Sequence, residues 1–199
     1  MKISLIILGS FLTLFILFQI YLAMASEKSE TQPYTVIKVE KEYEVRYYPA
    51  TTMAMITSSA RTYKELGSSG FTQLARYISG GNQEKKQIAM TSPVHMDVGE
   101  SVSTMAFVMP ANYNKENLPV PNNSDLTIKT VPEEYVAAIR FGGFASSEDI
   151  KKNTELLENA LKANHLSFHG HFRFLGYDPP YKFFARRNEI IVSVNWTVK

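Results

Sequence analysis

The feature that most narrows the possible folds is punctuation repeated at a fixed offset. Pro49 and Pro132 stand 83 positions apart (132 − 49), and at the same offset Ala54 meets Ala137 and Ile56 meets Ile139. A helical stretch over residues 64–79 falls on 147–162, where Ile150, Thr154, Leu157 and Leu161 form an apolar stripe behind a Ser146/Asp149 capping box. Strand-like residues 88–94 fall on 171–177, and 105–109 fall on 188–192. A unit of one helix and a few strands cannot bury its sheet alone, so two such units must close on each other. The sequence therefore predicts an α+β fold. Two ββαββ-like repeats, over about residues 34–110 and 126–199, are related by a pseudo-twofold in one domain, with a curved, largely antiparallel sheet and two flanking helices.

Within the first unit, Phe71, Leu74, Ala75 and Ile78 recur at helical spacing, and Gly80 and Gly81 end the helix. A charged loop follows, and Ile88 to Met96 then alternates with the period of a strand. The stripe sends Arg76 outward, either as an ordinary solvated cation or as part of a surface for an acidic ligand. Residues 37–47 read as one strand or two short ones, with Tyr47 on the apolar parity, so core packing is the reading for that side chain.

Residues 3–24 carry no charge, and 22 such residues are enough to cross a bilayer as a helix. Lys2 before this run favours an N-in, single-pass anchor with the domain on the extracytoplasmic (periplasmic) side. A signal peptide cleaved after Ala23-Met24-Ala25 gives a secreted or periplasmic protein instead. Residues 1–25 are thus read as anchor or signal, 26–33 as a polar tether and 34–199 as the domain. A net charge of +2 without a long basic run argues against nucleic acid, and a chain without cysteine has neither disulfides nor a thiolate nucleophile.

No catalytic motif stands out. Of His95, His165, His169 and His171, the last two could share one strand face as metal ligands, but no carboxylate lies close to them in sequence, so no metal site is assigned; there is no G-x-S-x-G elbow. The aromatic turn of residues 175–190 is more distinctive. Asp178-Pro179-Pro180 fixes a rigid turn, ringed by Tyr177, Tyr181, Phe183 and Phe184 around Lys182. Such a turn suits a flat apolar ligand with acid groups, or simply covers a sheet end.

The segments EYEVRYYPA (42–50), ARYISGGNQEKKQIAMTSPV (75–94), MAFVMP (105–110), FGGFAS (141–146) and GYDPPYKFFARRNE (176–189) together resemble the SOUL haem-binding family, in that family's order. The resemblance implies a distorted antiparallel barrel of two repeats with two flanking helices. It also implies binding of haem or an iron-free porphyrin, with no established catalysis. It further implies a shallow groove beside the first helix and the Pro-Pro loop, in which Arg76 and Lys182 would pair with propionates and Tyr77, Tyr177, Tyr181 and Phe183 would lie close by. Ser68 stands where some members have arginine. Tyr47 stands where some place a histidine ligand, which makes Tyr47 a doubtful axial ligand.

The expected protein is a monomeric, non-enzymatic, membrane-tethered tetrapyrrole binder for haem transport, buffering or sensing. Its rival is a GyrI-like small-molecule-binding domain with hydrolase activity, which would want a carboxylate such as Glu134 or Glu189 in the groove with a perturbed pKa. A third reading is a protein-interaction module.

Overall fold

The computed structural model describes residues 7, 10, 12–21 and 29–197. Eleven elements follow one another within 35–194: β1 (Thr35–Val39), β2 (Glu44–Tyr48), β3 (Thr51–Ser58), α1 (Tyr63–Ile78), β4 (Val94–Val98), β5 (Ser103–Val108), β6 (Leu126–Val131), β7 (Glu134–Phe141), α2 (Ser147–Ala163), β8 (Phe168–Gly176) and β9 (Asn188–Val194). Residues 12–21 form a further helical stretch ahead of them. No helix among the described residues is long and apolar enough to cross a membrane. Of the predicted anchor and tether, residues 1–6, 8–9, 11 and 22–28 lie outside the described residues.

All nine strands join one sheet in the order β1-β2-β7-β9-β8-β4-β5-β3-β6, and every pairing is antiparallel. The resemblance implies a distorted antiparallel barrel, and the sheet curls as a half-barrel in which β1 and β6 remain edges. Outward from the β4–β8 pair the order runs β4-β5-β3-β6 on one side and β8-β9-β7-β2 on the other. β2 runs almost directly into β3 yet pairs with β7, while β6 precedes β7 and pairs with β3. Each of these strands thus leaves its chain neighbour for the opposite half. The constant offset holds for β3 and β7 (134 − 51 = 83) but drifts for the strand after each helix (168 − 94 = 74).

The helices lie on the sheet, α1 against β3, β4 and β5 and α2 against β7, β8 and β9. The buried line of α1 is Leu66, Gly70, Leu74, Tyr77 and Ile78 rather than one centred on Phe71, which is 41% exposed. Gly70 sets this rotation: a Cβ there would stand 3.2 Å from the Met105 Cβ, so the missing side chain lets helix and sheet approach. In α2 the Ser146/Asp149 capping box forms, and Ile150, Leu157 and Leu161 are buried. The strand read from Ile88 begins only at Val94. Pro93 has no N–H to give a ladder, and the Thr91 hydroxyl instead donates to the Val108 carbonyl. Nor do residues 30–32 hang free: Gln32 N–H donates to Ser92 O at 2.8 Å and Ser92 N–H to Glu30 O at 2.9 Å.

The opposite sheet face is built around buried charge. Glu189 on β9 is fully buried and Arg46 on β2 is 3% exposed. Arg46 Nη1 and Nη2 donate to Glu189 at 2.7 and 3.2 Å, Arg187 Nη2 donates at 2.8 Å, and the Tyr177 hydroxyl donates at 2.8 Å. Burial alone would raise the Glu189 pKa, but the Arg46 hydrogen bonds and charge, with those of Arg187, hold it below the usual carboxylate range. Arg46 and Arg187 also lie over aromatic rings, 4.3 Å from the Tyr34 centroid and 3.9 Å from the Tyr177 centroid. Tyr48, Val136, Ala138, Leu175 and Ile191 form the apolar cluster of this face. On β4, His95 Nε2 lies 2.7 Å from Gln32 Oε1, and burial, aided by Arg173, lowers its pKa to about 3.

Two outcomes follow from this face. Arg46→Ala strands the Glu189 charge and is expected to cost about 3–5 kcal/mol in urea unfolding, and a loss under about 1 kcal/mol would contradict the structural role of this buried pair. His95 is neutral when folded and titrates near 6.5 when unfolded, so its contribution is complete above pH ~6.5 and fades as pH falls toward 3. The melting temperature should therefore begin to fall below pH ~6.5, and His95→Gln should flatten the decline between pH ~6.5 and ~5. An unchanged decline in that variant would assign it to other groups.

Candidate functional site

A cleft of about 840 Å³ opens between α2, the β4–β5 turn and β8. Its walls include Tyr63, Val98, Ile150 and Phe172, with Lys151 and His171 also lining it. That volume and apolar lining fall in the range of drug-sized and cofactor ligands, roughly 300–1,000 Å³. Besides Tyr63 of α1, three further chain segments build it. The α2 cap places Ile150 and Thr154 on one wall, the two-stranded turn of β4 and β5 supplies 98–102, and β8 bulges between His169 and Arg173 as it passes.

The charges in the cleft are unevenly matched. His171 Nδ1 lies 3.3 Å from Asp97 Oδ1, and that buried oxygen makes no hydrogen bond. A proton on Nδ1 faces the carboxylate and leaves the Nε2 lone pair free, the arrangement in which an imidazole ligates a metal. Lys151 makes only a 3.9 Å approach to Glu155 and is otherwise solvated. Tyr63 rises to about 12, through burial first and the Asp97 charge second, so it stays a neutral phenol on the cleft wall.

The residues singled out in the sequence distribute differently. Arg76 is exposed in the last turn of α1, and its side chain has no hydrogen bond or ion pair among the described residues. Tyr77 beside it is 2% exposed and donates its hydroxyl to Pro119 O at 2.9 Å, so it belongs to the core and not to a ligand surface. Lys182 is 7% exposed and bound to Asp178 at 2.6 Å. Its charge already has a carboxylate partner, where the sequence expectation paired it with a propionate. Tyr177 is committed to Glu189, and its pKa is pushed up by burial and by that carboxylate. Tyr181 and Phe183 are half-exposed on the loop between β8 and β9. Tyr47 is not in the core: its hydroxyl donates to Glu133 at 2.6 Å and its ring lies against Tyr135, beside a smaller pocket of about 300 Å³ that His169 also lines.

One cross-strand row relates the first helix to the Pro-Pro loop. Phe107, Val94, Gly176, Asn188 and Phe141 are register partners in succession, and Phe71 of α1 rests on Phe107 at 5.3 Å between ring centroids. The loop springs from Gly176 and returns at Asn188, so it shares a sheet end with Phe71. Arg76 lies over a turn further along, tied through Gly81 to the 120–122 segment. The cleft itself was not legible beforehand, since its walls come from four separate segments around residues 63, 98–102, 147–155 and 170–172; among its residues Ile150 and Thr154 were read as a helix stripe and His171 as one of four histidines. The carboxylates wanted by the hydrolase reading are both engaged. Glu189 is saturated, and Glu134 Oε2 accepts from Arg173 at 2.7 Å and from Ser193 at 2.8 Å.

Residues 29–193 match the family described as SOUL heme-binding protein. Heme-binding protein 1 of Xenopus laevis is 27% identical over 175 residues, an alignment covering 82% of this chain and 88% of that protein. Among solved structures, the EcmrR C-terminal domain superposes with a TM-score of 0.61 at 9% identity, over 82% of this chain and 99% of that one. A hydrolase from Listeria innocua superposes with a TM-score of 0.56 at 7% identity, over 80% and 94% of the two chains. At such identities these two structures speak for the fold alone.

The buried Lys182–Asp178 pair makes the loop a rigid object. Lys182→Ala removes one partner of a buried pair and is expected to cost about 1–3 kcal/mol locally. Amide exchange over 177–187 should then accelerate about tenfold or more, while α2 and β7 keep their protection. Unchanged exchange in the loop would show that its proline turn alone sets its shape.

Proposed function

Because the chain belongs to the SOUL heme-binding protein family, we propose that it binds haem or a related porphyrin in the cleft between α2 and the β4–β5 turn. The cleft carries the proposal: about 840 Å³ with apolar walls, and Lys151 and His171 in its lining beside the carboxylates Glu100 and Glu155. The macrocycle would lie against Val98, Ile150 and Phe172, and Lys151 would meet a propionate in a charge-assisted contact. The donor set also fits iron: His171 would offer Nε2, with Asp97 Oδ1 3.3 Å from the opposite nitrogen. The proposed role is binding rather than catalysis. Glu189, held ionised by two guanidinium groups, is a poor general base, and Glu134 is shared between Arg173 and Ser193.

The uncharged run of residues 3–24 supports a membrane tether with the domain on the extracytoplasmic side, where the protein would carry, buffer or sense haem. A second reading has one observation in its favour: Arg76 is unpartnered and Phe71 on the same helix is 41% exposed, so the ligand would lie on the outer face of α1.

Titration with haemin and with iron-free protoporphyrin separates these readings. In the cleft, Lys151→Ala should weaken both ligands about three- to tenfold, and Val102→Trp, at a 58% exposed position lining the cleft, should block both. His171→Ala should change the haemin Soret band and leave protoporphyrin affinity alone. Arg76→Ala should leave both affinities as they are. Loss of binding in Arg76→Ala, with Lys151→Ala and Val102→Trp behaving as the parent, would move the site to α1.

A further inference from the structure

The loop between β8 and β9 carries an aromatic surface that the porphyrin cleft does not use. Tyr181, Phe183 and Phe184 are 55%, 50% and 67% exposed, and Phe144 from the β7–α2 connection is 52% exposed beside them. Phe144 and Phe183 meet edge to face at 5.8 Å, and Phe183 meets Phe15 of the leading helical stretch at 6.1 Å. Isolated exposed phenylalanines are common on proteins, whereas a contiguous cluster at the tip of a rigid loop is not. Rigidity comes from inside the loop: Lys182 binds Asp178, the Arg187 N–H donates to Asp178 at 2.6 Å, and Arg186 donates to the carbonyls of Asp178, Pro179 and Lys182.

Gln19 shows what this loop faces. Its amide stands in a stretch that is apolar from Leu14 to Phe18, with Leu14, Leu17, Phe18, Ile20 and Tyr21 all more than half exposed. Gln19 itself is 7% exposed. Its Nε2 donates to Tyr181 O at 3.3 Å and its Oε1 accepts from Phe183 N–H at 3.1 Å. Each side thereby satisfies polar groups that hydrocarbon would leave bare: the glutamine amide on the helix, and one carbonyl and one N–H on the loop. Gln19 lies in the last described turn of this stretch, five residues before the end of the uncharged run in the sequence. The end of such a run is where a bilayer interface would fall, the zone in which apolar faces bury roughly 5–10 Å and aromatic side chains collect. Arg186 completes the match. Its guanidinium lies 4.5 Å from the Phe144 ring centroid and bonds only to carbonyls among the described residues, a cation suited to lipid phosphates.

We propose that the 181–184 loop, with Phe144, is a foot that dips into the bilayer interface, clamped to the membrane helix by Gln19. It rests on the membrane-tether reading above, and it gives the tethered domain one fixed orientation instead of free rotation on a leash. The aromatics expected to cradle a porphyrin are on this account lipid contacts.

Depth-dependent quenching tests the foot on the full chain reconstituted into phosphatidylcholine vesicles. In a Trp196→Phe background, which removes the chain's one tryptophan, Phe183→Trp and Phe184→Trp are compared with Val120→Trp, an exposed position on the segment beside the end of α1. Phosphatidylcholine brominated near the head of its acyl chains should quench positions 183 and 184 at least threefold more than position 120. Vesicle flotation without that difference overturns the foot and leaves the tether standing. Failure to float with vesicles, or release by alkaline carbonate, overturns the tether and the foot together. Stoichiometric quenching of both loop tryptophans by haemin in detergent, with no response to brominated lipid, assigns the loop to porphyrin and likewise overturns the foot.

Discussion

Glu189 is the point on which the architecture turns. A carboxylate with no exposure is tolerable only when every lone pair is used, and here two arginines and a tyrosine use them. The partners come from different parts of the chain. Arg46 sits on β2, which leaves its chain neighbour β3 to pair with β7, while Tyr177 and Arg187 mark the two ends of the Pro-Pro loop. Tyr34 closes the cluster from the chain's entry into the sheet, accepting from Arg187 at 3.0 Å. One buried charge thus fixes the crossing strand and the loop's base, and it brings the start of the domain onto the same face.

This arrangement decides where a ligand can be held. Charges already spent on one another cannot greet a propionate, which removes Lys182, Arg187 and Arg46 from consideration. On the helix side, by contrast, the cleft keeps a lysine with only a distant partner and a histidine whose second nitrogen is free. The two sheet faces therefore divide the work. One is satisfied internally and gives stiffness, and the other retains unspent donors beside apolar walls.

Much of the scaffold was legible in the sequence because it rests on local rules. The Ser146/Asp149 box and the breaks at Pro49 and Pro132 are short-range patterns, and each has its counterpart in the structure. Errors arose where a distant contact overrode the local pattern. Gly70, not Phe71, centres the buried line of α1, because Met105 and Ile56 approach it from the sheet. Tyr47 has apolar parity but finds Glu133 at the sheet end. Lys182 reads as a free cation because its pairing with Asp178 closes only when the proline turn folds. The site was the least legible part, since neither the α2–β8 cleft nor the Asp97–His171 approach leaves any mark in the spacing of the chain.

The central claim is that a porphyrin lies between α2 and the β4–β5 turn. Hydrogen exchange of the full chain, with and without one equivalent of iron-free protoporphyrin, tests it without depending on iron ligation. The account predicts new protection at residues 98–102 and 150–155, with exchange over 71–79 unchanged. Protection confined to 71–79 or to the 178–187 loop, with the cleft segments exchanging as before, would contradict it.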